Sequence, residues 1–298
     1  MPSWAEFQPY IVTGLALGGL YALSGVGLVV LYRATGVLNL AFGAVGAMGA
    51  FIAYSMIGAG DPGWIAWMTC IVFGGVVTLG YGMLFGPALA GRGPLVQSIS
   101  TLGLALVLFG IIDLAWPTTG GQSPSISFPT DNGGFTVGQL QVNWTQVIAL
   151  ALGVAITVGT AAFLRLSKLG TAMRAMANDR EITATLGVPV RRVEAAAWLG
   201  CGLLAGIAGI MLADLSALDD TTLTFTVVIS SLAAALIAQL RSIPVTFAAA
   251  IVIGLVHDLI TPITQISNYQ DMTPFVLAAI ALLVMSRGQV MTRSREEG

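Results

Sequence analysis

The sequence predicts an all-α, polytopic membrane helix bundle of about nine membrane segments, some of them short or broken, with the N-terminus outside and the C-terminus inside. Three observations predict it. The 298 residues are 56% hydrophobic and 9% charged, with mean hydropathy +0.88, whereas a soluble domain carries about 25% charged residues. The charges divide the chain into apolar stretches, most of them near the ~20 residues that cross a bilayer. All twelve Lys and Arg residues follow odd-numbered stretches. So few charges cannot build the surface of a soluble enzyme, and a net charge of −2 provides no basic field for nucleic acid. The apolar content excludes disorder.

The uncharged stretches are 7–32, 34–60, 62–91, 93–112, 132–164, 195–213, 221–240, 242–257 and 272–286. They predict spans at about 11–31, 37–57, 64–85, 95–116, 146–166, 195–214, 222–240, 244–261 and 273–286. The last two stretches are short, so either is a tilted, locally thinned or incomplete crossing. The N-terminal MPSWAEFQPY lacks a basic region, and the first stretch is expected to remain as an anchor. Basic residues near span ends stay in the cytoplasm. Arg33, Arg92, the 165–192 group, Arg241 and the C-terminal arginines therefore mark the inner side, and Glu6, Asp61, Asp131, Asp219, Asp220 and Asp271 the outer side. The whole chain, 1–298, is expected to be a single transmembrane domain.

Two loops stand apart. In the outer loop, 117–145, Phe135, Val137, Leu140, Val142 and Trp144 alternate around Gly138, a weak hairpin signal. The loop is either an inert connection or a docking surface. The inner loop, 165–194, holds six of the twelve basic residues. Good helix formers from Thr171 to Leu186 predict a helix ended by Gly187 and Pro189. Met173, Met176, Ala177, Ala184 and Leu186 give it an apolar stripe that must be buried in lipid or in a partner.

Catalytic constellations are sparse. His257, the one histidine, is followed by Asp258 near the outer end of span eight. The pair reads as a proton relay or as polar residues reaching the interface. No phosphate-binding loop of the G-x-x-x-x-G-K-[ST] type occurs, and one histidine cannot build a His-rich metal site. The two cysteines, Cys70 and Cys201, lie in apolar runs and read as buried small residues. Small residues at helical spacing, Gly14 and Gly18 in span one and Gly202, Gly206 and Gly209 in span six, predict close helix crossings. Uncharged polar residues within spans are the candidates for a translocation path: Ser24, Asn39, Ser98, Ser100, Thr101, Ser230 and Ser231. Gln97 and Gln239 lie near inner ends, where snorkelling explains them equally well.

Three ordered motifs carry a family resemblance. GVLNLAFGAVGAMGAFIAY (36–54) resembles the start of the second span in branched-chain amino-acid ABC transporter permeases. LGTAMRAMANDREITATLGVPVRRV (169–193) resembles their cytoplasmic loop, and LRSIPVTFAAAIVIGLVHDLI (240–260) their Gly-Ser-x-x-Gly segment and following span. The resemblance is closer to the shorter of the two permease subunits. Two departures stand out. Ala238-Gln239-Leu240-Arg241-Ser242 replaces Gly-Gly-x-Gly-Ser, and Ile182-Thr183 replaces the alanines of a Glu-Ala-Ala docking motif whose Glu181 and Gly187 remain.

The resemblance implies a permease subunit of an ATP-driven importer for branched-chain amino acids or related small polar solutes. It would sit in the cytoplasmic (inner) membrane of a bacterium and would not be an enzyme. ATP would be bound by partner ATPase subunits, so no cofactor is expected in this chain. The other implied partners are a second permease or another copy of this chain, a periplasmic or lipid-anchored solute-binding protein, and membrane lipid; nucleic acid is not expected. Arg174, Met176, Asp179, Arg180, Glu181 and Gly187 would couple to the ATPase. An autonomous secondary transporter is the alternative, with His257 and Asp258 its only coupling pair.

Overall fold

The computed structural model describes residues 4–89, 91–117, 133–137, 140–215 and 220–283. Its helices are α1 (Trp4–Thr35), α2 (Phe42–Gly58), α3 (Gly63–Leu89), α4 (Pro94–Ala115), α5 (Trp144–Leu166), α6 (Lys168–Asn178), α7 (Arg180–Thr185), α8 (Val190–Leu215), α9 (Asp220–Ile237) and α10 (Ile243–Ile260). A 3-10 helix, Ser267–Met272, leads into α11, helical over residues 273–283. Every predicted stretch thus forms a helix. Six of them (α1, α3, α4, α5, α8 and α10) are long and apolar enough to cross a membrane. The apolar helices Phe42–Gly58 and Phe225–Ile237 are shorter.

Helix α1 is the axis. In its apolar window 89% of residues are buried, against 28% in α3 and α4 and 22% in α5. Around it pack α10, α5, α8 and α9, while α3 lies against α8 and α2. One apolar layer includes Leu20, Phe51, Ile210 and Ile253; the other includes Leu23, Leu31, Phe42 and Trp198. The rim exposes Val72, Val76 and Met83 on α3 and Leu95, Ile99 and Leu106 on α4, the apolar covering that hydrocarbon requires.

The glycine spacing acts as predicted at two crossings. A Cβ on Gly18 would lie 2.8 Å from the Cα of Ile251, so α1 and α10 meet backbone to backbone. A Cβ on Gly206 would lie 2.6 Å from the Cys70 carbonyl oxygen, where α8 crosses α3.

The second span departs from its predicted start at residue 37. Residues 36–41 are non-helical, with Val37, Asn39 and Ala41 buried. Gly36, at φ 74°, ends α1. The freed backbone is satisfied from α4. Leu38 N–H donates to Ser98 Oγ at 3.0 Å and Leu40 N–H to Thr101 Oγ1 at 2.9 Å. Thr101 in turn donates to the Leu38 carbonyl at 3.2 Å. Asn39 Oδ1 accepts from Ala41 N–H at 3.1 Å. Irregular backbone at membrane depth is tolerated only when enclosed in protein in this way.

The hairpin signal becomes two antiparallel strands, β1 (Gly134–Val137) and β2 (Leu140–Asn143). Trp144 begins α5 instead of extending the strand, because Asn143 and Gln146 form a capping box.

The single inner-loop helix expected from Thr171 to Leu186 is two helices. Asp179 breaks it: its carboxylate accepts from Ile182 N–H at 2.9 Å and caps α7. Ser167 caps α6 in the same manner, through Gly170 N–H at 2.8 Å. Gly187, at φ 84°, closes α7.

Candidate functional site

Of the six buried polar side-chain groups without a partner among the described residues, four lie on α1, α9 and α10, and the other two are Arg174 Nε on α6 and Thr273 Oγ1 on α11. Tyr21 and Ser24 stand one turn apart on α1. Ser230 lies on α9 and His257 on α10. The Tyr21 hydroxyl, Ser24 Oγ, Ser230 Oγ and His257 Nε2 are buried and have no hydrogen-bond partner among the described residues. The Tyr21 hydroxyl lies beside Ser230, outside hydrogen-bond geometry, and within electrostatic reach of Asp258 and Asp271. An unpaired buried hydroxyl costs about 1–3 kcal/mol, and buried polar groups such as this row are ordinarily satisfied by protein or by ordered water.

The row opens at one end into a cleft of about 250 Å³ lined by Phe225, Ile229, Ser230, His257, Asp271 and Pro274. His257 sits between two carboxylates. Its Nδ1 is 3.3 Å from Asp258 Oδ1 and its Nε2 is 3.5 Å from Asp271 Oδ1, the second too poorly directed to be a hydrogen bond. Asp258 is buried and Asp271 exposed.

A second cleft, of about 750 Å³, lies at the opposite end of α1, between the α1 terminus, α6, α7 and the α9–α10 turn. Arg33, Arg180 and Arg241 line it, with Thr35 and Gln239. Gln239 and Leu240 in that turn have φ of 52° and 56°. L-residues resist this conformation, and the family motif has a glycine where Gln239 stands.

The path candidates separate into those without a partner and those already hydrogen-bonded, Ser98 among the latter. Ser24 and Ser230 belong to the unpaired row. Ser231, next to it, donates back to the Val227 carbonyl. Asn39 and Thr101 hold the break at 36–41, and Asn39 Nδ2 also reaches Cys201 Sγ at 3.6 Å. Ser100 bonds to the Tyr81 hydroxyl and to the Gln97 carbonyl at 2.6 Å. Sequence reasoning missed Tyr21, whose signal was its one-turn spacing from Ser24, and it placed Asp271 on the outer side without joining it to His257.

The inner-loop residues also separate. Met173 and Met176 are 3% and 5% exposed and pack into the core beside Leu31 and Leu164. The stripe's first half is therefore covered by this chain itself, which corrects the expectation that it faces a partner or lipid. Ile182 and Leu186 are 59% and 78% exposed, and Ala177, Glu181 and Ala184 are also exposed. Arg180 donates to Glu194 Oε1 from Nε at 3.0 Å and Nη2 at 2.8 Å, tying α7 to α8. Arg174 Nη2 reaches Thr171 Oγ1 at 3.3 Å, while its buried Nε is unpartnered.

The family model described as the permease component of branched-chain amino acid transport systems matches residues 10–285. The chain is 25% identical to the high-affinity branched-chain amino acid transport system permease protein LivH of Escherichia coli K12, over 95% of this chain and 94% of that one. It is 24% identical to BraD of Pseudomonas aeruginosa, a permease protein of the same description, over 97% of each. A probable branched-chain amino acid transport permease of Methanocaldococcus jannaschii is 27% identical over 81% of this chain and 77% of its own length. Among solved structures, PsaBC from Streptococcus pneumoniae in complex with Fab aligns over 95% of both chains, at 14% identity and a TM-score of 0.49.

Proposed function

The chain belongs to the branched-chain amino acid transport permease family, a family of membrane permeases and not of enzymes, and on that premise we propose that it is the transmembrane subunit of an ATP-driven importer. Its solutes are branched-chain amino acids or related small polar molecules. Partner ATPase subunits on the cytoplasmic side drive alternating access, a soluble or lipid-anchored protein delivers the solute outside, and a second permease, or another copy of this one, completes the membrane part. The chain sits in the bacterial cytoplasmic membrane, with all twelve basic residues inside.

The observation that carries this reading is the row of unpaired hydroxyls between α1, α9 and α10, joined at Ser230 to the outer cleft. A permeating polar solute or its water supplies the missing partners in transit. The half of the inner loop that meets the ATPase is α7, through Ile182 and Leu186, with Glu181 beside them and Gly187 turning the chain away. Asp179, Arg180 and Arg174 hold α7 in place, and Met176 anchors α6 to the bundle.

His257 between two carboxylates is the feature that favours a secondary transporter instead. Proteoliposomes separate the two readings. With ATPase, binding protein and internal or external ATP supplied to the nucleotide-binding side, leucine uptake is expected to require ATP and to persist without a proton gradient. Uptake driven by a proton gradient in the absence of the ATPase would establish the alternative.

A further inference from the structure

The inner cleft is not explained by a solute path, and its chemistry differs from that of the outer one. We propose that it is a binding site for an anionic phosphate group, which bridges the end of α1 to the inner-loop helices.

Three arginines line the cleft from three separate elements: Arg33 from the last turn of α1, Arg180 from the start of α7 and Arg241 from the α9–α10 turn. Among the described residues no acidic side chain lines it. Arg180 has Glu194 as a partner; Arg33 and Arg241 have no ion pair among the described residues. Arg174 adds a fourth positive charge within electrostatic reach of Arg33, and its buried Nε has no acceptor. Like charges gathered in a partly buried cleft repel one another more strongly than in water, and an anion bound between them relieves that repulsion.

The geometry points to phosphate. Guanidinium groups bind phosphate oxygens in pairs, and arginines arriving from separate elements need an anion with several acceptor oxygens. A cleft of about 750 Å³ holds a phosphate together with the group esterified to it. Arg241 is held at the rim by two successive residues in the left-handed region, Gln239 and Leu240, a conformation that L-residues resist. Leu240 N–H to the Ala235 carbonyl, at 2.8 Å, fixes that turn. The cleft stands at the inner end of the central helix, where basic pockets between membrane helices meet phospholipid head groups. The same chemistry admits a soluble phosphate ester entering from the cytoplasm. The site rests on charge and geometry and does not depend on the importer reading.

A cysteine in the cleft reports occupancy. Ala177 lines it and is exposed, whereas the native Cys70 and Cys201 are buried. The full-length A177C variant, in nanodiscs, is labelled with a neutral maleimide under three conditions: phosphatidylcholine alone, an equal mixture of phosphatidylcholine and phosphatidylglycerol, and phosphatidylcholine with inorganic phosphate against chloride of matched ionic strength. Slower labelling with phosphatidylglycerol supports the site and assigns a lipid head group. Slower labelling with inorganic phosphate but not with chloride supports it and assigns a soluble source. Either protection is expected to weaken about tenfold in apparent affinity for each of Arg33→Gln and Arg241→Gln. Arg241 is exposed in a turn, so Arg241→Gln keeps the test informative if Arg33→Gln does not fold. No protection under any condition, equal protection by chloride, or protection unchanged in Arg241→Gln would overturn the proposal.

Discussion

A hydroxyl at membrane depth has two uses in this chain, and the distinction decides what its removal does. Thr101 and Ser98 satisfy the backbone of Leu38 and Leu40. Thr101→Val leaves the part-buried Leu40 N–H and Leu38 C=O without their partner, at a cost of about 1 kcal/mol or more; the detergent-solubilised variant is expected to melt earlier than wild type. Ser230 has no partner to lose. Ser230→Ala is expected to match or exceed wild-type stability while solute uptake falls several-fold. A variant equally destabilised at both positions would contradict the assignment of Ser230 to the path. In the sequence alone, Ser24, Ser98, Thr101 and Ser230 look alike, since each is a small polar residue in an apolar stretch. What separates them is whether a backbone group some sixty residues away in sequence needs them, as in the Leu38–Ser98 and Leu40–Thr101 bonds, and no local pattern records that.

At the scale of elements, hydropathy and charge made the helices legible and turn chemistry set their ends. The departures have local physical causes. Val37, Leu38 and Leu40 are apolar, so the non-helical segment between α1 and α2 reads like a helix until its partners on α4 are known. Asp179 reads like one more polar residue of a helix until its carboxylate is seen to cap α7. That break decides which half of the inner loop is outward. Met176→Asp would bury a charge within the chain itself, and a loss of several kcal/mol in stability is expected, read as reduced yield of folded protein. Leu186→Asp places the charge on a surface that is already exposed. That variant is expected to fold, to insert and to lose ATPase in a pull-down. Full recovery of the ATPase by Leu186→Asp would remove α7 from the docking surface. At the α1–α10 crossing, Gly18→Val pushes apart two backbones in contact; overpacking of this kind costs about 1–3 kcal/mol, seen as a lower melting temperature.

At the scale of the whole molecule, the enclosure of α1 is the organising fact. A central helix has to face either apolar neighbours or a polar solute. The side of α1 bearing Tyr21 and Ser24 meets α9 and α10 with hydroxyls unpaired, while its glycine side closes on α10 and α5. The cleft beside His257 carries the Asp271 carboxylate, and the cleft at the opposite end of α1 carries arginines. The central claim is that solute passes along α1 between α9 and α10. Its most direct test is a single cysteine at Ser230, with the buried native cysteines as silent background. The account predicts that an impermeant thiol reagent added outside labels Ser230→Cys, that labelling blocks uptake, and that transported solute slows the labelling. A Ser230→Cys protein that reacts in no transport state and carries solute at the wild-type rate would contradict it.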